Sequence, residues 1–438
     1  MKTKILFWLN PDNLSQQIFF QIKNKYPGSK MVDFKSKGDL ALSLLDYKFL
    51  FDQKKNAPNK IMSKVYQDNI EEWFNNYYSR GMDKNISIFN LREIFKAQSK
   101  YIYNYLKDNN FSHLIISTDA GIGIDFLTYK IAKIIGLKTI FLFGEHRNFY
   151  FYSYDKNDWG DFKSSKKKLN KEKFILDNIF KYKKPFYMNK RFLLTGNNLF
   201  KIIFKNPILQ IKNSISELFN MKLYKKWVKE KKREFISKNP PRNYVYFSLN
   251  HQPESTTISF GNGYIDQILA IQALRKILPR NYKIVVKDHP AQENLYHRDD
   301  VFYHRLNSID NLLISNSADD SQALIQNSKC VALIYGTTGW ESLQKMKPVI
   351  SFGQNWYNNL HGVFKHNKRL KFHDIENFNF QKDKFINSIE KLTVKTVPGV
   401  VYKSIQSEAV DFSNNFKKSN FVEDKEAKRT YDGILKLL

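Results

Sequence analysis

The stretch that decides the fold runs from Tyr282 to Tyr357. It opens with 282-YKIVVKDHP-290 and continues about forty residues later with 331-VALIYGTTGWESLQKMKPVISFGQNWY-357. The second piece predicts a strand over 331–335, a glycine turn, a short helix over about 340–346 and a strand over 348–352. This order is typical of a βαβ unit in a parallel sheet. Its turn joins the carboxyl end of a strand to the N-terminus of a helix, which is where phosphate groups bind.

A second βαβ unit is predicted over 113–144. Strand 113–117 is followed by the turn 118-TDAGIG-123, a helix over 124–135 that Gly136 ends, and a strand over 139–143. The turn is not a full GxGxxG, so it is a weak signal for a dinucleotide site. Asp119 is either a helix N-cap or a carboxylate facing a cleft between domains. Glu145, placed after the next predicted strand, is a second cleft carboxylate. A carboxylate there could act as a base or as a nucleophile, and the sequence does not choose between Asp119 and Glu145.

Polar residues follow two further predicted strands. Strand 244–249 continues into 250-NHQPESTT-257, in which His251, Gln252 and Glu254 are candidate cleft residues. After a predicted helix over 264–278, strand 283–286 leads into Lys287 and His289. A histidine locked before a proline at a strand end, beside a lysine, is well placed to contact a phosphate.

Composition limits the class of protein. The chain has 438 residues, 42% hydrophobic and 15% aromatic content, so it predicts well-filled cores and two domains. The single cysteine excludes a disulfide framework or a cysteine zinc site within the chain. The net charge of +29 indicates either an anionic partner or a lysine-rich bias of a whole proteome. The basic segment 221–235 is either an amphipathic helix on an anionic membrane or a solvated linker helix.

Four regions are predicted along the chain. Residues 1–190 form an N-terminal α/β domain, which begins with a strand over 4–10 and is mostly helical over 11–110. Residues 191–241 form a basic helical linker that a proline pair closes, and 242–395 form the second α/β domain. The helices in 396–438 are expected to pack back on the first domain. No apolar stretch is long enough for a transmembrane helix and no signal peptide is recognised, so we expect a cytoplasmic protein, including a peripheral position at the inner membrane face.

Three motifs together carry a resemblance to a known family. The runs 247-FSLNHQPESTT-257, 287-KDHP-290 and 336-GTTGWESLQKMKPVISFGQNWY-357 resemble the bacterial capsule polysaccharide biosynthesis family. Its members include transferases of the keto-sugar acid Kdo with a GT-B fold. The resemblance covers about residues 244–362, and 116-ISTDAGIG-123 extends it loosely into the first domain.

The resemblance implies a fold and a set of site residues. It implies an α/β, GT-B-like architecture of two Rossmann-type domains that face a cleft, with the nucleotide-sugar donor on the C-terminal domain and the acceptor on the side of the N-terminal domain, residues 1–190. It assigns donor binding to Lys287, His289, Pro290, Gly336, Thr337, Thr338, Gly339 and Glu341. Glu341 would bind ribose hydroxyls, although ordinary stabilisation of the first helical turn also explains it. His251 and Gln252 would line the cleft, and the catalytic candidates are Asp119, Glu145 and Glu254.

The expected function is glycosyl transfer in surface polysaccharide biosynthesis. The resemblance and the HP motif favour a CMP-activated, Kdo-like acid as donor, a glycan or lipid-linked acceptor, and no metal or other cofactor. Two alternatives remain open: an epimerase acting on a UDP-sugar, and a non-catalytic basic protein that binds polyanions. No nucleic-acid-binding module is visible, so we expect no nucleic acid partner.

Overall fold

The chain divides into two compact units that are each built around one sheet. The computed structural model describes residues 3–8, 13–33, 40–41, 57–79, 87–117, 123–146, 149–162, 236–252, 255–289, 292, 298–316, 319–399 and 420–438. Unit 1 comprises the described residues of 1–162, 255–260 and 386–438. Unit 2 comprises those of 236–252 and 261–385.

The strands are short and mostly buried, as expected for parallel sheets that are covered on both faces. They are β1 (Ile5–Trp8), β2 (Lys30–Asp33), β3 (Leu40–Ala41), β4 (His113–Ile116), β5 (Lys138–His146), β6 (Phe149–Ser153), β7 (Tyr244–Ser248), β8 (Lys283–Lys287), β9 (Leu312–Ser315), β10 (Cys330–Leu333), β11 (Val349–Ser351), β12 (Val363–Lys365) and β13 (Thr396–Pro398).

The helices connect these strands and cover the sheets. They are α1 (Asn13–Lys25), α2 (Asn59–Ser79), α3 (Ile88–Asp108), α4 (Ile124–Ile134), α5 (Ser255–Phe260), α6 (Gln267–Ile277), α7 (Asp300–Asn307), α8 (Ser321–Asn327), α9 (Thr337–Gln344), α10 (Phe372–Glu376), α11 (Lys382–Thr393) and α12 (Asn420–Leu435). No described helix has the length and apolarity that crossing a bilayer requires.

Unit 2 contains a six-stranded sheet in the order β12-β11-β10-β7-β8-β9, with every neighbouring pair parallel. This is the strand order of a Rossmann-type sheet, whose direction of winding reverses between its first and fourth strands. The reversal lies between β7 and β10, where Ser248 pairs with Leu333. Ligands of such sheets bind outside the carboxyl ends of the strands at this switch point.

Local sequence explains why the helices of unit 2 begin where they do. Asp266, Asp299 and Asp320 are the N-caps of α6, α7 and α8, and each accepts a hydrogen bond from a backbone N–H of the first turn. These bonds satisfy donors that have no partner within the helix. The interior of the sheet is apolar, and Cys330 is fully buried in it as the first residue of β10.

Unit 1 contains a seven-stranded sheet in the order β13-β6-β5-β4-β1-β2-β3. The strands from β5 to β3 are parallel, whereas β6 and β13 extend the sheet with antiparallel pairs. The C-terminal helix α12 packs against α1, and buried residues of both helices join the core of this sheet. The mixed α/β architecture with two mostly parallel sheets confirms the predicted fold class.

Three local predictions are corrected. The helix predicted from Trp340 begins at Thr337, because Gly336 takes the N-cap position with a φ of 136°. The strand predicted to end at Phe143 runs to His146, because β6 pairs back on it as a hairpin. The region 11–110, predicted as mostly helical, also contains the strands β2 and β3, which complete the sheet beside β1.

The helix α5 groups with unit 1, although the strand that precedes it lies in unit 2. Its last residue, Phe260, is buried against Trp159 and Phe143, with ring centroids 5.9 and 6.1 Å away. Aromatic contacts of this kind add to the burial of apolar area. The chain therefore returns to unit 1 for one short helix directly after the polar run 250–254.

Candidate functional site

The glycine turn of unit 2 presents a helix N-terminus at the switch point of the sheet. Gly336 has a φ of 136°, which a side chain would disfavour, and α9 starts at the next residue. The N–H groups of the first turn of a helix have no acceptor within the helix and carry a partial positive charge. The backbone of Thr337, Thr338 and Gly339 therefore offers donors suited to an anion.

Buried side chains hold this turn in place. The amide of Asn355 accepts a hydrogen bond from Gly336 N at 3.0 Å and donates one to Ile334 O at 2.9 Å. The hydroxyl of Tyr357 donates to Gly336 O at 2.6 Å. A Cβ at Gly339 would lie 2.8 Å from Cζ of the Tyr357 ring, so only glycine fits there without a shift of that buried ring. The turn is thus rigid before any ligand arrives.

Hydrogen bonds cross the switch point from β7 to β10. Asn250 Nδ2 donates to Tyr335 O at 2.7 Å, and Tyr335 N donates to Asn250 Oδ1 at 3.4 Å. The Ser248 and Thr338 hydroxyl oxygens lie 3.1 Å apart. The loop after β7 and the glycine turn are therefore joined in one arrangement.

A lysine and a glutamate lie at the same edge. Lys287 ends β8 and is 3% exposed, and its charge acts on the carboxylate of Glu341. Glu341 accepts hydrogen bonds from Gln322 Nε2 at 2.6 Å and from the Thr337 hydroxyl at 3.2 Å. Burial raises the pKa of Glu341 above its ordinary value, although these bonds and Lys287 act against the rise.

The rings of two histidines meet edge to face after β7 and β8. The ring centroids of His251 and His289 are 5.9 Å apart. Burial, the neighbouring His251 and the charge of Lys287 lower the pKa of His289 to about 4. Burial and the charge of Arg298 lower the pKa of His251 below its usual value. Both rings are consequently neutral at pH 7, and each has one N–H that can donate to a phosphate oxygen.

A buried ion pair ties the two histidine loops together. Arg298 Nη2 and Asp288 Oδ1 are 3.0 Å apart, and both side chains are less than 5% exposed. The same guanidinium donates to Gln252 Oε1 at 3.1 Å and to Asn250 O at 2.6 Å. Arg298 carries no signal in the sequence, because it lies ten residues beyond Asp288 in no recognisable motif and only the fold brings the two together.

Several predicted residues lie outside the described part of the chain. Asp119, Glu254 and Pro290 are among them, as is the basic segment 221–235. Glu145 lies within β5 and not after a strand end, as the extension of β5 to His146 requires, and its side chain is not described. The structure thus brings the described donor-binding candidates of unit 2 to one edge of the sheet, while the side chains of the three catalytic candidates are not described. Among described residues, no three or more His, Cys, Asp and Glu side chains are arranged to hold a metal ion.

The arrangement in unit 2 is suited to binding an anion. It combines a helix N-terminus, hydroxyl groups, a buried lysine and two neutral histidines at the carboxyl edge of a Rossmann-type sheet. Donors held in a fixed position stabilise a negative charge without reorganisation when that charge forms. A phosphate bound here would meet backbone and side-chain donors together.

Comparison with known proteins agrees with the motifs. Residues 201–385 match the family described as "Capsule polysaccharide biosynthesis protein". None of the curated proteins that were compared with the chain matches it.

Solved structures show only distant similarity. The β-Kdo 2,7 transferase of Thermosulfurimonas dismutans KpsC is 12% identical, with a TM-score of 0.32 over 88% of this chain and 89% of that one. The β-Kdo 2,4 transferase of the same KpsC is 12% identical, with a TM-score of 0.31 over 64% and 79%. A UDP-GlcNAc 2-epimerase from Methanocaldococcus jannaschii is 11% identical, with a TM-score of 0.26 over 90% and 93%. Because each TM-score is below 0.5, we draw no functional conclusion from these structures.

The family match covers the described strands and helices of unit 2, with β7, β8, β10 and the glycine turn among them. It includes all three motifs that carry the resemblance in the sequence. The similarity to the capsule polysaccharide biosynthesis protein family therefore lies in residues 201–385, which are less than half of the chain.

Proposed function

We propose that the chain is a glycosyltransferase of surface polysaccharide biosynthesis, which transfers a CMP-activated, Kdo-like sugar acid to a glycan or lipid-linked acceptor. The observation that carries this proposal is the meeting of Lys287, His289 and the glycine turn at the switch point of unit 2. The family of residues 201–385 supports the same pathway. The proposed location is cytoplasmic, with peripheral contact to an anionic membrane.

In this proposal the site of unit 2 holds the donor nucleotide. The N–H groups of Thr337, Thr338 and Gly339 receive the donor phosphate, and Glu341 binds ribose hydroxyls. The N–H of a neutral His289 donates to the same phosphate, and Lys287 balances its charge. These donors stabilise the negative charge that grows on the nucleotide phosphate as the bond to the sugar breaks.

The remaining roles fall on residues that the donor site does not use. A carboxylate among Asp119, Glu145 and Glu254 activates the acceptor hydroxyl or attacks the donor sugar. His251 and Gln252 lie beside the donor site, and Gln252 is fixed by its bonds to Gln292 and Ile265. No cofactor beyond the nucleotide-sugar is needed for this set of roles.

Calorimetric titration with CMP, UDP and GDP tests the proposal. We expect CMP to bind most tightly, and binding to weaken in His289→Ala, Lys287→Met and Glu341→Ala. Two matched controls are available: Lys283 is exposed at the opposite end of β8, and His304 is exposed on α7. Lys283→Met and His304→Ala should bind CMP as the unchanged protein does.

The outcomes separate the competing functions. A preference for UDP, with a UDP-sugar converted in the absence of any acceptor, would replace the transferase by the epimerase. Failure to bind any of the three nucleotides, together with salt-sensitive binding of acidic polysaccharide, would replace it by a polyanion-binding protein. Equal losses in Lys287→Met and Lys283→Met would place the donor away from the carboxyl edge of the sheet.

A further inference from the structure

We propose that Arg298 is a positioning residue that holds the His251 and His289 rings in their edge-to-face arrangement at the carboxyl edge of the unit 2 sheet. The inference rests on the proposed function for its consequence, since these histidines flank the proposed phosphate site. Its geometric basis lies in unit 2 alone, in the contacts that one guanidinium makes with two loops.

The contacts of Arg298 fall on the sequence neighbours of both histidines. Its Nη2 donates to the carbonyl of Asn250 at 2.6 Å, and its Nη1 donates to Oε1 of Gln252 at 3.1 Å. These are the residues directly before and after His251. Its Nε and Nη2 donate to Oδ1 of Asp288, the residue before His289, at 3.1 and 3.0 Å. One side chain therefore fixes the residues on both sides of His251 and the residue before His289.

Other groups lock the guanidinium itself. It lies over the ring of Phe302 at 4.4 Å, and the Tyr303 hydroxyl donates to the other carboxylate oxygen of Asp288 at 3.0 Å. Both aromatic residues belong to α7, which begins two residues after Arg298. A planar fork with five donors is required for this set of bonds, and a lysine ammonium cannot reproduce it.

Arg298 also contributes to the balance of charge around His251 and His289. Lys287, Asp288 and Arg298 are the charged groups that act on His289, and Asp288 and Arg298 act on His251. Arg298 lowers the pKa of both rings, whereas Asp288 raises it. Removal of Arg298 leaves the Asp288 charge unbalanced, so both histidines should protonate at a higher pH.

Histidine NMR of the full chain tests the positioning role. The nine histidines are labelled with ¹³C at Cε1, and His251→Gln and His289→Gln assign the two signals. In Arg298→Met both signals should titrate at higher pH than in the unchanged protein. In Arg298→Lys the charge remains and the titration should stay low, but the contacts between the two rings should be lost. CMP affinity should fall about tenfold in both variants, the equivalent of one hydrogen bond to a charged group.

Arg305 provides the matched control. It pairs with Asp266 in the same unit, but both side chains are at least 36% exposed. Arg305→Met should change neither the histidine titrations nor CMP affinity. A folded Arg298→Lys variant with unchanged ring contacts and unchanged CMP affinity would overturn the proposal. If the unchanged protein binds no nucleotide, the proposed function fails, while the ring contacts and titrations of the free protein still decide the role of Arg298.

Discussion

Acid should destabilise unit 2 through His289. The pKa of this ring is lowered to about 4 in the folded chain, against about 6.5 in an unfolded one. As pH falls, the unfolded chain therefore takes up the proton first, and folding stability decreases between these two values. From pH 7.5 to pH 5 the loss due to His289 alone is about 2 kcal/mol, and it levels off at about 3 kcal/mol below pH 4.

The single cysteine gives an assay that is specific for unit 2. Cys330 is fully buried in β10, and burial raises the pKa of its thiol, so it reacts only when this sheet opens. The urea midpoint of thiol modification is measured at pH 7.5, 6 and 5 with a disulfide reagent that is active in acid. The free energy of unfolding then follows from linear extrapolation.

Variants separate His289 from every other titrating group. His289→Gln keeps polar atoms at this position but cannot be protonated. Its loss of stability between pH 7.5 and 5 should therefore be about 2 kcal/mol smaller than that of the protein with His289. His304→Gln changes an exposed histidine of α7 and should keep the full pH dependence. Parallel stability curves for the unchanged protein and His289→Gln would refute the argument that burial holds this ring neutral.

Three further predictions concern the same sheet edge. Gly339→Ala should cost about 1–3 kcal/mol and weaken nucleotide binding, because its Cβ meets the buried ring of Tyr357. Gly263→Ala has open space around its Cβ but a φ of 85°, so it should cost stability in thermal melts while calorimetry shows unchanged binding. Asp288→Asn should lower the free energy of unfolding in urea by about 3–5 kcal/mol, because it leaves Arg298 buried without its charge partner. Asp266→Asn, in the exposed pair with Arg305, should lower it by less than about 1 kcal/mol, and equal losses would contradict the burial argument. CMP binding should take up protons at about pH 5, because a bound phosphate raises the pKa of His289 from about 4, while the ring stays neutral at pH 7. Calorimetry in buffers of different ionisation enthalpy would show no uptake if the ring lies away from the phosphate.

Much of unit 2 could be predicted from local patterns. Apolar runs bounded by glycine, proline and polar residues predicted the strands β7, β8, β10 and β11 near their observed positions. The same patterns placed the glycine turn and Lys287 at strand ends, which the parallel register of β7, β8 and β10 brings to one edge. Element ends were less accurate, since hairpin pairing and a glycine N-cap extend β5 and α9 beyond their periodic residues.

The sequence alone determined the α/β class, the βαβ units and the motifs that mark the family, because these depend on residues close together in the chain. Only the tertiary structure placed Arg298 on Asp288 and Gln252, opposed the His251 and His289 rings, and returned α5 to unit 1. Each of these depends on contacts between residues that no periodic pattern links. The neutrality of His289 was likewise decided by the tertiary structure, because burial and neighbouring charges, not residue type, shift its pKa.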